Sequence, residues 1–337
     1  MIGIFRSTKN PRRGAGYTAA MQLRQSIAVF VSIGLILIGC RSGRQQPSQA
    51  GPPWDISSAE ILTWQADDQG FSQDRALEAS GLTASDRFLY ATSEKYWRVL
   101  QIDTDHELAA RVIALDVPRH TELEGIAWVN GKLYLCDEAH AAVYRVELRD
   151  ESDSDPGRLP ADLLPLEGLD VDAGKIGIEG VAVTPTERRL WLLLERYGDP
   201  NSGCVSRIYP LEIGDSSLPI AGDPITVQLE DCNWRLTGLQ LWNGRLLALK
   251  TQFPGERYEV ISIDPESGSW KVALDMTRFL RSVRQDGWNN NVEGITVTAD
   301  GSLWLISDNA WTQVIDDATP PVAEERALLV RIPPAKN

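Results

Sequence analysis

Short apolar runs separated by polar turns recur along the chain in five similar units. Each unit opens on a phrase that contains a glycine, and the five glycines are Gly81, Gly125, Gly180, Gly238 and Gly294. A polar turn follows each phrase, and then comes an apolar run such as Leu133-Tyr134-Leu135 or Leu303-Trp304-Leu305. The glycines are 44, 55, 58 and 56 residues apart. Periods of this length built from short strands are typical of a repeat array.

The first unit divides into four predicted strands, at residues 81–83, 88–92, 97–102 and 110–115. Turns such as Asn130-Gly131 and Asn243-Gly244 are strong hairpin signals. Four short antiparallel strands in each unit indicate an all-β fold of the β-propeller type. Five units predict five blades, or six if one long unit contains a degenerate blade. The only helix expected is a short one near residues 276–282.

The two ends of the repeat region are expected to meet. Residues 60–64 form an apolar run before the first unit, whereas the last unit has only three evident strands and ends at residues 327–332. We expect the strand near Leu62 to pair with the strand near Val330. This pairing would complete the last blade and remove the free sheet edges.

Residues 1–40 are predicted to be a signal peptide with a lipobox. The uncharged run at residues 27–39 has 13 residues, fewer than the roughly 20 needed to span a bilayer as a helix. It ends in Leu37-Ile38-Gly39-Cys40, which resembles the bacterial lipobox and implies that Cys40 is lipidated. Met21 is the alternative start, because residues 1–20 add a long basic extension. The protein is therefore expected to be exported and anchored to a bacterial membrane through lipid alone.

Two further domains are predicted after the leader. Residues 41–55 are rich in Gln, Ser, Gly and Pro, a composition that cannot bury a core, and are expected to be a flexible tether. Residues 56–337 would form the propeller. The chain has 33 basic and 47 acidic residues, and this excess of acids argues against a nucleic-acid partner. Cys204 and Cys232 are candidates for a disulfide.

Acidic residues are expected to converge at one mouth of the central channel. Three opening phrases contain Glu124, Glu179 and Glu293, and each following strand returns antiparallel to the same mouth. The returning strands end at Glu94, Asp137-Glu138, Glu195, Lys250 and Asp308-Asn309. Carboxylates brought together repel one another unless a cation neutralises them, and Ca²⁺ prefers oxygen ligands. The alternative is structural, because such residues also cap backbone groups and form turns.

Two of these segments resemble known propeller families. Asn290-Asn291-Val292-Glu293-Gly294-Ile295 with Leu303-Trp304-Leu305-Ile306-Ser307-Asp308-Asn309 resembles phytase-like propellers, the family named for the esterase-like activity of phytase. The segment from Leu123 to Ala127 also resembles SdiA-regulated propellers. The phytase-like resemblance implies calcium-supported hydrolysis of a phosphate ester or a similar ester. It implies metal ligation by Glu124, Glu179, Glu293, Asp308 and Asn309, with Lys250 pairing with a substrate phosphate.

Other functions remain open. The Glu-Gly and Asp-Asn pairs also resemble calcium-dependent lactonase and arylesterase propellers, in which His120 would act as a general base. A third reading is a non-catalytic platform that binds an envelope ligand, because a propeller fold does not imply catalysis. The absence of a dense basic cluster argues against a highly phosphorylated substrate such as phytate.

Overall fold

The computed structural model describes residues 53–66, 71–148, 158–169, 177–199, 203–253, 255–310, 323 and 325–336, and the statements below concern these residues. For residues 196–199 the description covers the backbone alone. The predicted leader, most of the tether and the lipidation site at Cys40 lie outside the described residues. Within the described part of the chain, no helix is long and apolar enough to cross a membrane.

Nearly all regular structure in the described residues is β-strand. The strands are β1 (Glu60–Leu62), β2 (Gln65–Ala66), β3 (Ala79–Ala84), β4 (Phe88–Ser93), β5 (Arg98–Asp103), β6 (Ala109–Asp116), β7 (Leu123–Val129), β8 (Lys132–Asp137), β9 (Ala142–Glu147), β10 (Arg158–Leu164), β11 (Leu166–Glu167), β12 (Ile178–Val183), β13 (Arg189–Asp199), β14 (Gly203–Glu212), β15 (Leu218–Pro219), β16 (Ile225–Gln228), β17 (Trp234–Trp242), β18 (Arg245–Gln252), β19 (Arg257–Ile263), β20 (Trp270–Asp275), β21 (Asn291–Val297), β22 (Leu303–Asp308) and β23 (Leu329–Ile332). A 3-10 helix spans Ile56–Ser58, and helix α1 spans Thr277–Arg284, close to the predicted position.

The strands form a β-propeller, which confirms the predicted fold class. Five groups of four adjacent strands are β3 to β6, β7 to β10, β12 to β14 with β16, β17 to β20, and β21 to β23 with β1. The first two groups are joined into one nine-stranded sheet, because β10 pairs parallel with β6 and the short β2 also pairs with β6, while β11 pairs with β15. We number the five groups blades 1 to 5 in that order. Their innermost strands, β3, β7, β12, β17 and β21, contact one another in a closed cycle. Whether the whole chain has five blades or six stays a prediction, because several stretches lie outside the described residues.

The predicted ring closure is confirmed. Strand β1 pairs antiparallel with β23, and Ile61 and Leu62 lie opposite Val330 and Leu329. The packed domain also begins slightly earlier than predicted. Trp54, which we assigned to the tether, is 1% exposed and donates its indole N–H to the Gly301 carbonyl at 3.0 Å. Burying this large ring is favourable, and this explains why Trp54 packs on the domain. The composition of the neighbouring residues predicted only a tether.

The glycine of each opening phrase allows two blades to approach closely. A Cβ added to Gly125 would lie 2.6 Å from the Gly180 Cα, and one on Gly180 would lie 2.9 Å from the Leu239 Cβ. A Cβ on Gly294 would lie 2.8 Å from the Leu82 Cβ, which joins blade 5 to blade 1. No other residue type fits such contacts without a shift of the backbone. The repeated glycine is therefore a requirement of the ring.

Each opening phrase also contains a β-bulge. The register of the innermost strand shifts at the phrase in all five groups. In blade 5, for example, Val292 lies opposite Ser307 and Gly294 lies opposite Ile306, so Glu293 is the extra residue. A bulge changes the direction of a side chain relative to a regular strand. This irregularity positions the residue before each glycine at the channel.

Apolar side chains from neighbouring blades fill the spaces between them. The aromatic residues of the returning strands lie in these layers, as their alternation predicts, and Trp191, Trp304 and Tyr134 are at most 5% exposed. Cys204 and Cys232 form a disulfide, and Cys136 is a buried free thiol. The rigid packing between blades fixes the strand ends that meet at the channel mouth.

Candidate metal centre at the channel mouth

Three carboxylates from three different blades meet at the channel mouth. One carboxylate oxygen from each of Glu94, Glu124 and Glu293 lies within 4.8 Å of the other two. Glu124 and Glu293 come from the bulges of the opening strands β7 and β21, and Glu94 directly follows strand β4. Glu124 and Glu293 are buried, at 4% and 5% exposure. Three oxygens this close can contact one shared cation.

Burial and mutual repulsion raise the pKa values of these carboxyl groups. The pKa of Glu124 is raised well above its usual value by burial and then by the charges of Glu94 and Glu179. The pKa of Glu94 is raised in the same way, by burial and then by Glu293 and Asp308. Bringing these carboxylates together in their charged form is therefore costly unless a positive charge lies beside them.

Glu179 and Asp308 belong to the same electrostatic cluster. Burial is the main cause that raises the pKa of each, and Glu293 raises both further. Oδ1 of Asp308 has no hydrogen-bond partner among the described residues, although this side chain is only 8% exposed. A buried carboxylate oxygen without a donor is costly. Such an oxygen is suited to binding a cation.

Gly177, directly before β12, makes room for one carboxylate from blade 3 and one from blade 2. A Cβ added to Gly177 would contact Oε1 of Glu179 and would lie 2.8 Å from Oε1 of Glu138. Both carboxylates therefore lie against the backbone of Gly177. Burial, followed by the charges of Glu122 and Glu195, raises the pKa of Glu138.

Among the described residues, Arg235 forms ion pairs with this cluster. Its guanidinium donates to Oε1 of Glu293 at 2.6 Å and to Oε1 of Glu195 at 3.2 Å. It also donates to Oδ1 of Asn291 at 3.1 Å, while the amide of Asn291 donates to Glu293 at 3.0 Å and Asp308 at 3.2 Å. Although burial opposes its charge, Glu293 and Glu195 raise the pKa of Arg235. One fixed positive charge thus offsets part of the negative charge.

The structure contradicts the predicted role of Lys250. Its side chain is fully buried, and Nζ donates to Glu230 at 2.7 Å and to Glu259 at 2.9 Å. Nζ also lies 3.8 Å from the centre of the Trp234 ring. The physical reason is strand alternation, because successive side chains of a strand point to opposite faces. The residue opposite the channel-facing Arg235 is Thr251, one position further along.

The other two predicted residues also lie apart from the carboxylate cluster. Oδ1 of Asn309 accepts the backbone N–H groups of Leu77 and Glu78 at 2.9 and 3.3 Å, so both lone pairs of this oxygen are used. Asn309 therefore fastens the segment before β3 and does not offer an oxygen to a metal, for the same reason of alternation after Asp308. His120 is exposed in the loop between β6 and β7, and no hydrogen bond or ion pair described in the structure joins it to the cluster.

Sequence analysis missed two members of the site. Glu94 was recognised as the end of a returning strand but was left out of the ligand set, and its blade opens on Ser80 rather than glutamate. Arg235 lies outside the repeated phrase of its unit, so the phrase did not identify it. Its position in the repeat could have done so, because Arg235 and Asn291 both lie three residues before the glycine of their units. Aligning that position across the five units would have indicated Arg235.

The profile described as "Phytase-like: Esterase-like activity of phytase" matches residues 100–311, which is more than half of the chain. The chain belongs to the phytase-like family. This confirms the resemblance stated from the sequence. No curated protein sequence matches this phytase-like chain.

Solved structures similar to this phytase-like protein include several enzymes. Glutaminyl cyclase from Myxococcus xanthus is 14% identical, with 82% of this chain and 97% of that chain covered and a TM-score of 0.48. The PQQ-bound aldose sugar dehydrogenase from Streptomyces coelicolor is 11% identical, with 84% and 100% covered and a TM-score of 0.43. Virginiamycin B lyase from Staphylococcus aureus is 12% identical, with 82% and 98% covered and a TM-score of 0.41.

Proposed function

We propose that this protein hydrolyses esters with the support of a divalent cation, most suitably Ca²⁺, bound at the channel mouth. The observation that carries the proposal is the meeting of Glu94, Glu124 and Glu293, whose oxygens lie within 4.8 Å of one another. Membership of a family described by an esterase-like activity supports the same reaction class. Hydrolysis adds water across the bond between the acyl or phosphoryl group and oxygen, giving an acid and an alcohol.

The donor atoms suit a hard cation. They are carboxylate oxygens, and the described part of the cluster contributes neither sulfur nor imidazole. The orphaned Oδ1 of Asp308 adds another oxygen beside Glu293. Thr237 Oγ1, also buried without a partner among the described residues, occupies the phrase position that glutamate fills in three other blades. These oxygens make Ca²⁺ the expected ion, and when bound it would polarise the ester and lower the pKa of water.

The protein's own residues then have distinct tasks. Glu94, Glu124 and Glu293 would hold the cation, with Asp308 and Glu179 completing the set. Arg235 and Asn291 fix the orientation of Glu293 through hydrogen bonds of 2.6 and 3.0 Å. Because Oδ1 of Asn309 accepts two backbone N–H groups, we assign Asn309 a supporting role outside the ligand set.

We further propose that the domain acts outside the cytoplasm while anchored by lipid at Cys40. The support is the apolar run that ends in the lipobox-like Leu37-Ile38-Gly39-Cys40. The Cys204–Cys232 disulfide agrees with an oxidising compartment. Residues 41–53 would separate the propeller from the membrane.

The test is a panel of three substrates given to the purified domain in millimolar Ca²⁺ and in EGTA. The substrates are p-nitrophenyl phosphate, p-nitrophenyl acetate and a simple lactone. Calcium-dependent turnover of at least one supports the proposal, and the substrate that reacts separates phosphoesterase from carboxylesterase or lactonase. If none reacts while Ca²⁺ raises the melting temperature, the protein is a platform with a structural metal, and the proposed activity is wrong.

A further inference from the structure

A cleft opens beside the carboxylate cluster at the boundary of blades 4 and 5. Its volume is about 510 Å³, within the range of roughly 300–1,000 Å³ usual for small-molecule sites. Arg235, Asn291 and Asp308 line it on the side of the cluster, and Phe253, Tyr258 and Arg284 line it on the side of β19 and α1. A molecule in the cleft would therefore contact the same side chains that surround the proposed cation.

The charges that line the cleft disfavour an anionic ligand. Four acidic residues line it, Glu195, Glu256, Asp308 and Glu325, against Arg235 and Arg284. Both arginines already have acidic partners, because Arg235 pairs with Glu195 and Glu293 and Arg284 pairs with Glu256 and Glu325. A divalent cation beside Asp308 would be shared with the carboxylates of the channel mouth, so it would offset only part of this negative charge. The occupied cleft would then still have no surplus positive charge to attract an anion.

A residue that lines the cleft carries an unused, buried hydrogen-bond donor. The amide nitrogen of Asn290 has no hydrogen-bond partner among the described residues, and the side chain is only 4% exposed. A buried amide donor normally has a partner, because leaving it unpaired costs free energy. An ester oxygen in the cleft would supply the missing acceptor.

Phe253 supplies an apolar surface at the cleft. It is 75% exposed, the highest exposure of the three large hydrophobic residues that are exposed in the described part of the chain. The other two, Leu163 and Val272, do not line the cleft. An exposed phenyl ring beside polar donors favours a ligand with a flat apolar group at one end and an acceptor at the other.

We propose that this cleft binds the substrate and selects small uncharged esters with a flat apolar group, which packs on Phe253 while Asn290 donates to the ester oxygen. The proposal rests on the ester hydrolysis proposed above and specifies its substrate class. Paired arginines and surplus acids make a multiply phosphorylated substrate unsuitable. Both Phe253 and Asn290 are assigned as specificity residues.

Binding is measured first, with acetanilide as a neutral analogue that resists hydrolysis and inositol hexakisphosphate as the charged comparison. In Ca²⁺, wild-type protein should bind acetanilide and not the hexakisphosphate. Phe253→Ala and Asn290→Ala should each weaken acetanilide binding about tenfold, as expected for one aromatic contact or one hydrogen bond. The control Leu163→Ala removes an exposed apolar side chain outside the cleft and should leave binding unchanged.

Turnover of phenyl acetate separates this proposal from the general one. The expected result is a KM raised about tenfold in Phe253→Ala, with kcat nearly unchanged. If Phe253→Ala and Asn290→Ala both turn over phenyl acetate with an unchanged KM, the cleft is not the substrate site, although ester hydrolysis stands. If acetanilide binding depends on Phe253 and Asn290 but no ester is hydrolysed, the cleft is a binding site and the proposed activity is wrong. Tighter binding of the hexakisphosphate would overturn the substrate class. Since Phe253 is exposed, its variant should fold normally.

Discussion

Arg235 donates a hydrogen bond of 2.6 Å to Glu293 and so places a positive charge from blade 4 against the acidic cluster of the channel mouth. The same guanidinium reaches Glu195 from blade 3 at 3.2 Å. One side chain thus links three blades where carboxylates converge. Because a single guanidinium cannot neutralise Glu94, Glu124, Glu179, Glu293 and Asp308 together, the site has charge left for a divalent cation.

Replacing Arg235 should increase the dependence of the fold on Ca²⁺. In EGTA, Arg235→Met should lower the free energy of unfolding by about 2 kcal/mol. This is less than the roughly 3–5 kcal/mol lost when one partner of a fully buried ion pair is removed. The rise in melting temperature on adding Ca²⁺ should then be larger than in wild type. Arg158→Met is the control, since Arg158 is exposed and lies 3.8 Å from an exposed Asp116. An Arg235→Met protein that melts like the control in EGTA would contradict this role.

Neutralising one proposed ligand should weaken calcium binding. Glu293→Gln and Glu94→Gln each remove a negative charge from the group of three oxygens. Each should raise the Kd for Ca²⁺ at least about tenfold, a loss of about 1.4 kcal/mol, and should reduce calcium-dependent turnover. Isothermal titration calorimetry measures the Kd, with the exposed Glu212→Gln as the control. Equal affinities in Glu94→Gln and wild type would remove Glu94 from the ligand set.

The glycines of the opening phrases should be indispensable to the ring. A Cβ at Gly125 would lie 2.6 Å from the Gly180 Cα and 2.8 Å from the Cys136 Sγ. We expect Gly125→Ala to cost about 3 kcal/mol or more, the upper range for inserting an atom into a packed core. Urea unfolding measures the change. Gly222→Ala, where the added carbon meets only Pro210 at 3.7 Å, should unfold like wild type.

Most of the fold could be predicted from the sequence because it depends on local patterns. The glycine period, the alternation of apolar residues and the short last unit predicted the strands and the pairing of the strand near Leu62 with the strand near Val330. Side-chain direction was harder. Lys250 and Asn309 were assigned to the channel although each lies one residue from the position that faces it, and a shift of one residue reverses the face of a strand.

The remaining part of the site could not be read from the motifs, because it depends on contacts between blades. Arg235 reaches Glu293 across 58 positions in the chain. Glu94 joins Glu124 and Glu293 although its own opening phrase contains serine. Only the closed ring brings these residues together.

The predicted lipid anchor has its own test. Cys40→Ser, expressed in a bacterial host, should abolish lipid attachment at residue 40 and release the protein from the membrane fraction, because the thiol is the expected attachment point. Fractionation followed by immunoblotting detects the change. Ser42→Ala, two positions further on, is the control and should stay with the membrane. If the Cys40→Ser protein were still found in membranes and still cleaved at the bond before residue 40, the anchor would be misassigned.

The central claim is that the channel carboxylates share a divalent cation, and thermal unfolding at two pH values tests it most directly. The pKa values of Glu94, Glu124, Glu179 and Asp308 are raised in the folded state, chiefly by burial. In the metal-free protein these four groups therefore hold more protons in the folded state than in the unfolded chain, so their contribution to stability should fall as pH rises above about 4.

Calcium should reverse that loss. At pH 8, free Ca²⁺ at a hundred times its Kd should add about 2.7 kcal/mol, or roughly 5 to 10 °C in Tm, compared with EGTA. At pH 5, protons compete for the same oxygens, and the shift in Tm should be smaller. A Tm at pH 8 that is the same in millimolar Ca²⁺ and in EGTA would contradict the account.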